Sequence, residues 1–220
     1  MGSVRVHNIA MSIDGFGAGA SQSLEHPLGI GAEQLHGWVF ETQFGRSMIG
    51  AAGGTDGVDN DFMLAGVTGI GATIMGRNMF GPVRGAWPDE QWRGWWGEEP
   101  PFHHPVFVLT HHQREPLEMQ GGTTFHFVTD GIDAALARAR DAAGESDVRV
   151  GGGAATIRQY LRVRLIDELH VAIVPVVLGH GESLFGGLDL AALGYEVAEH
   201  RTSAGVLHVQ LKKGAPPQAV

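Results

Sequence analysis

Short apolar runs recur along this chain, and most are followed by Gly or a small polar residue and then by a helix-like stretch. Strands are predicted over residues 4–11, 72–75, 105–110, 123–128, 148–150 and 169–178. Helices are predicted over 33–48 and 59–67, from Asp130 through IDAALARARDAA, and over 154–164. Asp59 or Asn60 is expected to cap the second of these. Residues 195–200 and 206–212 read as a closing antiparallel pair. Strands alternating with helices imply an α/β domain whose mostly parallel sheet is covered on both faces. The stretches 17–32, 51–57 and 81–104 lack periodicity and are rich in Gly, Ser, Pro or Trp. With no repeat and no linker, 1–220 reads as one domain.

Charge and residue usage remove several classes of function. The net charge is −9 and no long basic block occurs, which argues against nucleic acid and against an anionic membrane surface. The absence of Cys excludes disulfides, thiolate catalysis, Cys-ligated zinc and iron–sulfur clusters. No apolar run approaches the roughly 20 residues a spanning helix needs. The N-terminal residues do not read as a signal peptide, so the expected location is the cytoplasm.

The glycines carry the chemistry. In DVRVGGGAATIRQYL (147–161), Gly151, Gly152 and Gly153 stand where a strand passes to a helix. Backbone can approach a phosphate there, and a helix N-terminus offers free N–H groups. A tight turn with no ligand would use the same residues. GATIMGRNMFG (71–81) repeats the strand-to-glycine pattern and adds Arg77, whose guanidinium forks onto phosphate oxygens. VFVLTHHQR (106–114) ends a strand in Thr110, His111 and His112, donors at the carboxyl end of a strand, where open α/β sheets bind ligands. Three such strand ends suggest a dinucleotide, with Arg77 suited to a 2′-phosphate. The glycines follow a late strand, which is not the Rossmann arrangement.

As a set, AMSIDGF (10–16), TIMGRNMF (73–80), VFVLTHH (106–112), VRVGGGAATI (148–157) and IDELHVAIVPVVLG (166–179) resemble the dihydrofolate reductase superfamily. The likeness is closer to the reductase domain of riboflavin-biosynthesis deaminase-reductases and their stand-alone relatives. It covers nearly the whole chain, apart from an enlarged segment at about 17–57. The resemblance implies a three-layer α/β fold, with a central mostly parallel sheet and antiparallel C-terminal strands. It also implies an NADPH site and a homodimer. By the same resemblance, Gly76, Arg77 and Asn78 hold cofactor phosphates, and Thr110 and His111 take the 2′-phosphate. Gly151, Gly152, Gly153, Ala154 and Ala155 lie against the pyrophosphate and nicotinamide, with Thr156 just inside the helix. Ala10 would lie near the carboxamide.

Several positions depart from those families. Met79 stands where a Thr is common, Gly151 where riboflavin reductases carry a substrate-binding Glu, and Ala172 where folate reductases carry a Thr. The zinc site of the deaminase half needs Cys-x-x-Cys as well as His-x-Glu, and with no Cys in the chain it cannot form. The nearest counterparts of the folate-reductase acid are Asp59 and Asp61.

Asp14 either orients a substrate or closes an Asp-Gly turn. Asp61 and Asp59 either donate a proton or sit on a capped, solvated helix face. His103, His104, His111 and His112 read as structural or solvent-facing rather than metal ligands, and no metal is expected. Trp87, Trp92, Trp95 and Trp96 either pack or stack on a planar ligand. Arg158, Arg162 and Arg164 read as a solvated face, and Glu182 as a loop residue. Trp38, Phe40 and Phe44 would form the substrate pocket if the enlarged segment folds over the nicotinamide. The resulting expectation is an NADPH-dependent reductase acting on a small, flat, heterocyclic substrate. Its proton would come from water, Asp14 or Asp61. The alternatives are a nucleotide-binding module without turnover, and a flavin or deazaflavin in place of NADPH.

Overall fold

A computed structural model describes residues 1–81, 85–87 and 91–215; residues 82–84 and 88–90 of the aperiodic stretch 81–104 lie outside it. The first apolar run forms β1 (Val4–Ser12), followed by β2 (Phe16–Ala18), a 3-10 turn (Ala32–His36), α1 (Gly37–Glu41), α2 (Gln43–Met48) and α3 (Val58–Ala65). Next come β3 (Ile70–Gly76), α4 (Arg77–Phe80), β4 (Pro105–Leu109), β5 (Leu117–Glu118), β6 (Thr124–Val128) and α5 (Gly131–Ala143). The chain then runs through β7 (Asp147–Gly152), α6 (Ala154–Arg162), β8 (Glu168–Val174), β9 (Glu182–Ser183), β10 (Tyr195–Thr202) and β11 (Leu207–Lys213).

Nine strands form one sheet in the order β10-β11-β8-β1-β7-β3-β4-β6-β5, and β2 pairs separately with β9. The six strands from β8 to β6 are parallel. The additions at the edges, β11 with β10 and β5, are antiparallel. This is the expected α/β sheet with antiparallel C-terminal strands.

Alternation along the strands divides the core between two faces. One face sets Val4, Val6, Ala72, Ile74, Val148 and Val150 against Ala135, Leu136 and Ala139 of α5 and Ile157, Tyr160 and Leu161 of α6. The opposite face carries two patches. Near β1 and β8, Ala10, Ala172 and Val174 meet Leu35 and Trp38 of the enlarged segment and Met63 of α3. Near β4 and β6, Met75, Val106, Val108 and Phe125 meet Phe80, Trp92 and Trp96. Each fully buried large apolar side chain contributes about 1.5–3 kcal/mol, so all three layers are held by burial.

Three boundaries differ from the sequence expectation. The helix predicted over 33–48 is broken at Thr42, whose extended backbone (ψ 156°) ends α1 and starts α2. Its Oγ1 accepts the Gly45 N–H at 2.9 Å, a local bond that competes with helix continuation. α3 is capped by Gly57 rather than Asp59 or Asn60. Asn60 lies inside the helix, where its buried Oδ1 accepts the Phe44 N–H at 2.9 Å. β8 stops at Val174 instead of reaching residue 178, because Pro175 has no N–H for the ladder.

Candidate active site

A cavity of about 860 Å³ opens along the carboxyl ends of β1, β7, β3 and β4. Three strand-to-strand steps of about 4.8 Å make it about 14 Å long between β1 and β4. Its two ends differ in chemistry.

The β3–β4 end suits an anion. Gly76, Arg77, Asn78, Thr110, His111 and His112 all line it. Arg77 Nη1 donates to the Gly85 carbonyl at 3.0 Å and to Thr110 Oγ1 at 3.4 Å. Its guanidinium carbon lies 3.3 Å from the centre of the Trp87 ring, so the charge is held flat against an aromatic face. Trp87 is itself fixed by its Nε1–H, which donates to the His112 carbonyl at 3.0 Å. Arg77 Nε and Nη2 are buried without a partner. Burial, with Arg114 nearby, pulls the Arg77 pKa below its ordinary value. Two unmatched donors on a cation are what an incoming phosphate would satisfy.

In the middle of the cavity, β7 ends in the three glycines. Gly152 has φ +131°, a conformation that L side chains rarely adopt, and its peptide bond to Gly153 is cis. Gly153 caps α6 with no side chain of its own, so the N–H groups of Ala154 and Ala155 have no intrahelical partner. A Cβ on Gly153 would meet no protein atom within 4 Å. The protein's own packing therefore does not require glycine there, but a ligand lying on that backbone would. Gly76 is different: a Cβ on it would collide with Thr156 Oγ1. That glycine allows β3 and α6 to approach.

The β1 end is largely apolar. Ile9, Gly17, Ala18, Pro27, Leu28, His36 and Phe40 line it. Gln22 ties this end to the β3–β4 end: its Oε1 accepts from Asn78 Nδ2 at 3.2 Å and its Nε2 donates to the Pro27 carbonyl at 3.1 Å.

Most of the sequence-derived cofactor residues converge on this one cavity: Gly76, Arg77, Asn78, Thr110, His111, Gly151, Gly152, Gly153, Ala154, Ala155 and Thr156. Ala10 does not line it. Ala10 is buried in the core beside Ala172, and its neighbour Ile9 faces the cavity instead. Neither proposed acid reaches the cavity. The Asp14 carboxylate accepts the backbone N–H groups of Leu178 (3.1 Å) and Gly179 (2.7 Å), and its pKa is lowered by the Ser12 side chain and these amides. Asp61 lies 3.5 Å from Arg201 on an exposed surface.

Asp59 ends a buried relay instead. The Asn8 backbone N–H donates to His170 Nδ1 (3.1 Å), so His170 must carry its proton on Nε2. His170 Nε2–H then donates to His208 Nδ1 (3.0 Å), and His208 Nε2–H to Asp59 Oδ1 (2.7 Å). Phe62 stacks on both rings. Burial depresses the His170 pKa to about 2. The relay holds β1 where its register shifts between Val6 and Ile9 and Asn8 takes a positive φ of 57°.

Other readings change with the tertiary contacts. Glu182 is not only a loop residue. It lines the cavity, pairs with Arg158 at 3.6 Å and sits opposite Ala18 in the β2–β9 ladder. Arg158 leaves the solvated face to meet Glu182 and to donate to the Ser183 carbonyl. Trp38 is buried in the core, whereas Phe40 reaches the cavity. Trp95 and Trp96 line the cavity as well. His103 bonds the Gly121 carbonyl and His104 bonds Thr73 Oγ1, both at 2.8 Å. No cluster of three or more possible metal ligands occurs among the described residues, and none of the described helices is long and apolar enough to cross a membrane. His36 and Gln22 were missed because nothing in their local sequence marks them.

A family model described as the RibD C-terminal domain matches residues 5–209. No curated protein matches the sequence. Among solved structures, a protein named for riboflavin biosynthesis from Shewanella sp. PV-4 is 21% identical with a TM-score of 0.60, covering 98% of this chain and 100% of that one. A diaminohydroxyphosphoribosylaminopyrimidine deaminase/5-amino-6-(5-phosphoribosylamino)uracil reductase from Thermotoga maritima is 14% identical with a TM-score of 0.54. The match covers 96% of this chain and 56% of that protein. Dihydrofolate reductase from Enterococcus faecalis, complexed with NADP(H), is 12% identical with a TM-score of 0.51, covering 97% of each chain. At these identities the likeness establishes the fold, which is that of dihydrofolate reductase.

Proposed function

The chain belongs to the RibD C-terminal domain family, and on that premise we propose that it is an NADPH-dependent reductase of a small, flat, heterocyclic substrate. Membership in this family supports an oxidoreductase. The observation that carries the cofactor assignment is Arg77, stacked on Trp87 with two buried donors unmatched at the cavity wall.

In this reading Arg77, Thr110 and His111 hold the 2′-phosphate, and the free amides of Ala154 and Ala155 hold the pyrophosphate. Gly151, Gly152 and Gly153 leave the backbone bare where a flat ring must lie. NADPH, when bound, supplies a hydride. The protein's part is orientation and exclusion of water, for which the Asn78–Gln22–Pro27 bonds bring the enlarged segment across the cavity. Asp14 and Asp61 lie away from the cavity and Glu182 is paired to Arg158, so water is the proton source in this scheme. Gly151 stands where the riboflavin reductases carry a substrate-binding Glu, so the substrate is not assigned to theirs.

The test is a titration with NADPH, NADH and FMN, followed by quenching of the five Trp. NADPH should bind much more tightly than NADH, FMN should not compete, and Arg77→Ala should remove most of the preference. Equal affinity for NADPH and NADH, or an unchanged Arg77→Ala variant, would overturn the assignment.

A further inference from the structure

At the β1 end of the cavity, nothing charged is free among the described residues. Asp59 is bound to His208, Asp61 to Arg201, Asp14 to two backbone amides and Glu182 to Arg158. A cationic ring would find no unpaired carboxylate there. An anionic ring would find no cation, since Arg77 lies at the opposite end, by β3 and β4.

Two side chains of the enlarged segment put rings into this wall, one polar (His36) and one aromatic and apolar (Phe40). His36 ends the 3-10 turn and Phe40 follows four residues later in α1, a spacing that sets both on one side. Leu35 and Trp38 anchor the other side against Ala10, Ala172 and Val174. Phe40 is 45% exposed although it borders a cavity. The His36 ring leans toward the Ala32 carbonyl with its Nδ1 buried, while its Nε2 is neither buried nor hydrogen-bonded among the described residues. Burial lowers its pKa, so the ring is a neutral imidazole with one donor and one acceptor. With Nδ1 turned toward the Ala32 carbonyl, Nε2 is the ring atom left to bond the edge of a ligand.

Resting on the reductase reading, we propose that His36 and Phe40 are the specificity-determining residues of this site. Phe40 stacks on an uncharged flat ring while His36 hydrogen-bonds its edge. The ring lies against this pair and leaves the bare backbone of Gly152 and Gly153 to the cofactor. The substrate class is thereby an uncharged, planar heterocycle carrying a donor or acceptor on its edge. Ring protonation to a cation selects against binding.

The experiment uses the full chain and two bicyclic probes of matched shape, quinazolin-4-one (uncharged) and 2,4-diaminoquinazoline (readily protonated to a cation). Each is titrated into the free and the NADP⁺-loaded protein, with Trp fluorescence as the readout. The ¹⁵N shift of the His36 imidazole is followed in parallel. Quinazolin-4-one should bind more tightly than the diamine and move the His36 nitrogen signal. His36→Leu and Phe40→Ala should each weaken it about tenfold, whereas His36→Gln, which keeps a donor and an acceptor near Nε2, should lose less. NADPH affinity should stay unchanged in all three variants, which also shows that they fold. The proposal is overturned if quinazolin-4-one does not bind the wild type, if the diamine binds better, or if His36→Leu leaves probe affinity intact. Failure of the wild type to bind NADPH would instead count against the reductase reading. The probe titration into free protein would then still decide the role of His36 and Phe40.

Discussion

Acidification from about pH 7.5 to about pH 5 should cost the folded protein about 4 kcal/mol through two buried histidines alone. His7 and His170 are 4% and 0% exposed, and burial lowers their pKa values from 6.5 to about 4 and about 2, with Arg5 and His7, respectively, as the next contributor. The sign follows from which state takes the proton. Above 6.5 both states are neutral at these rings and neither contributes. Below 6.5 the unfolded chain binds a proton at each while the folded chain does not, so stability falls until the folded pKa is reached. At about pH 5 each histidine lies about 1.5 units below its unfolded pKa, and at about 1.4 kcal/mol per unit that is about 2 kcal/mol each. A domain stable by about 5–15 kcal/mol loses a large share of its margin. Urea unfolding at the two pH values should show the midpoint falling by about 2 M if m is about 2 kcal/mol/M. His7→Gln should remove about half of the difference, since His7 Nδ1 makes no bond that the substitution breaks. A midpoint that holds steady or rises on acidification would refute the reasoning, because it would mean that the buried rings titrate as if exposed.

Other outcomes follow from particular contacts. Gly76→Ala should destabilise by about 1–3 kcal/mol, because its Cβ collides with Thr156 Oγ1. Gly76→Ala/Thr156→Ala should be less destabilised than the sum of the singles, as thermal denaturation would register. Asp59→Ala should cost about 1–3 kcal/mol by leaving the buried His208 Nε2–H unmatched, whereas Asp59→Asn keeps an acceptor and should cost less. NADPH affinity should be the same in both, and a loss of affinity would place Asp59 in the site after all. Trp87→Leu removes the face on which Arg77 lies and should weaken NADPH by roughly 0.5–2 kcal/mol without affecting NADH, as paired titrations would reveal.

Much of the β3–β4 end of the cavity was legible from the sequence because its signals are local. A strand end, a glycine and the next few residues are contiguous, and the parallel sheet then sets such ends side by side. Gly76 with Arg77, Thr110 with His111, and the three glycines with Ala154 each sit at a strand's carboxyl end, and the order β7-β3-β4 makes them neighbours. Local period also determined which strand residues alternate into the core, as in Val4 and Val6 or Ile74 and Met75.

The sequence left the acids open between two readings for the complementary reason. An Asp in a turn or on a helix has the same local signature whether it faces a cavity, a cation or a backbone amide. Only the tertiary structure set Asp14 against Leu178 and Gly179, and Asp59 against His208 149 positions away. It likewise brought Glu182 beside Ala18 and turned His36 and Phe40 toward the cavity while their neighbours Leu35 and Trp38 filled the core. Composition by itself excluded cysteine chemistry, and chain pattern specified an α/β sheet with glycine-lined strand ends. What closes the β1 end of the cavity was decided by packing, because burial of one side of a helix determines where its other side must point.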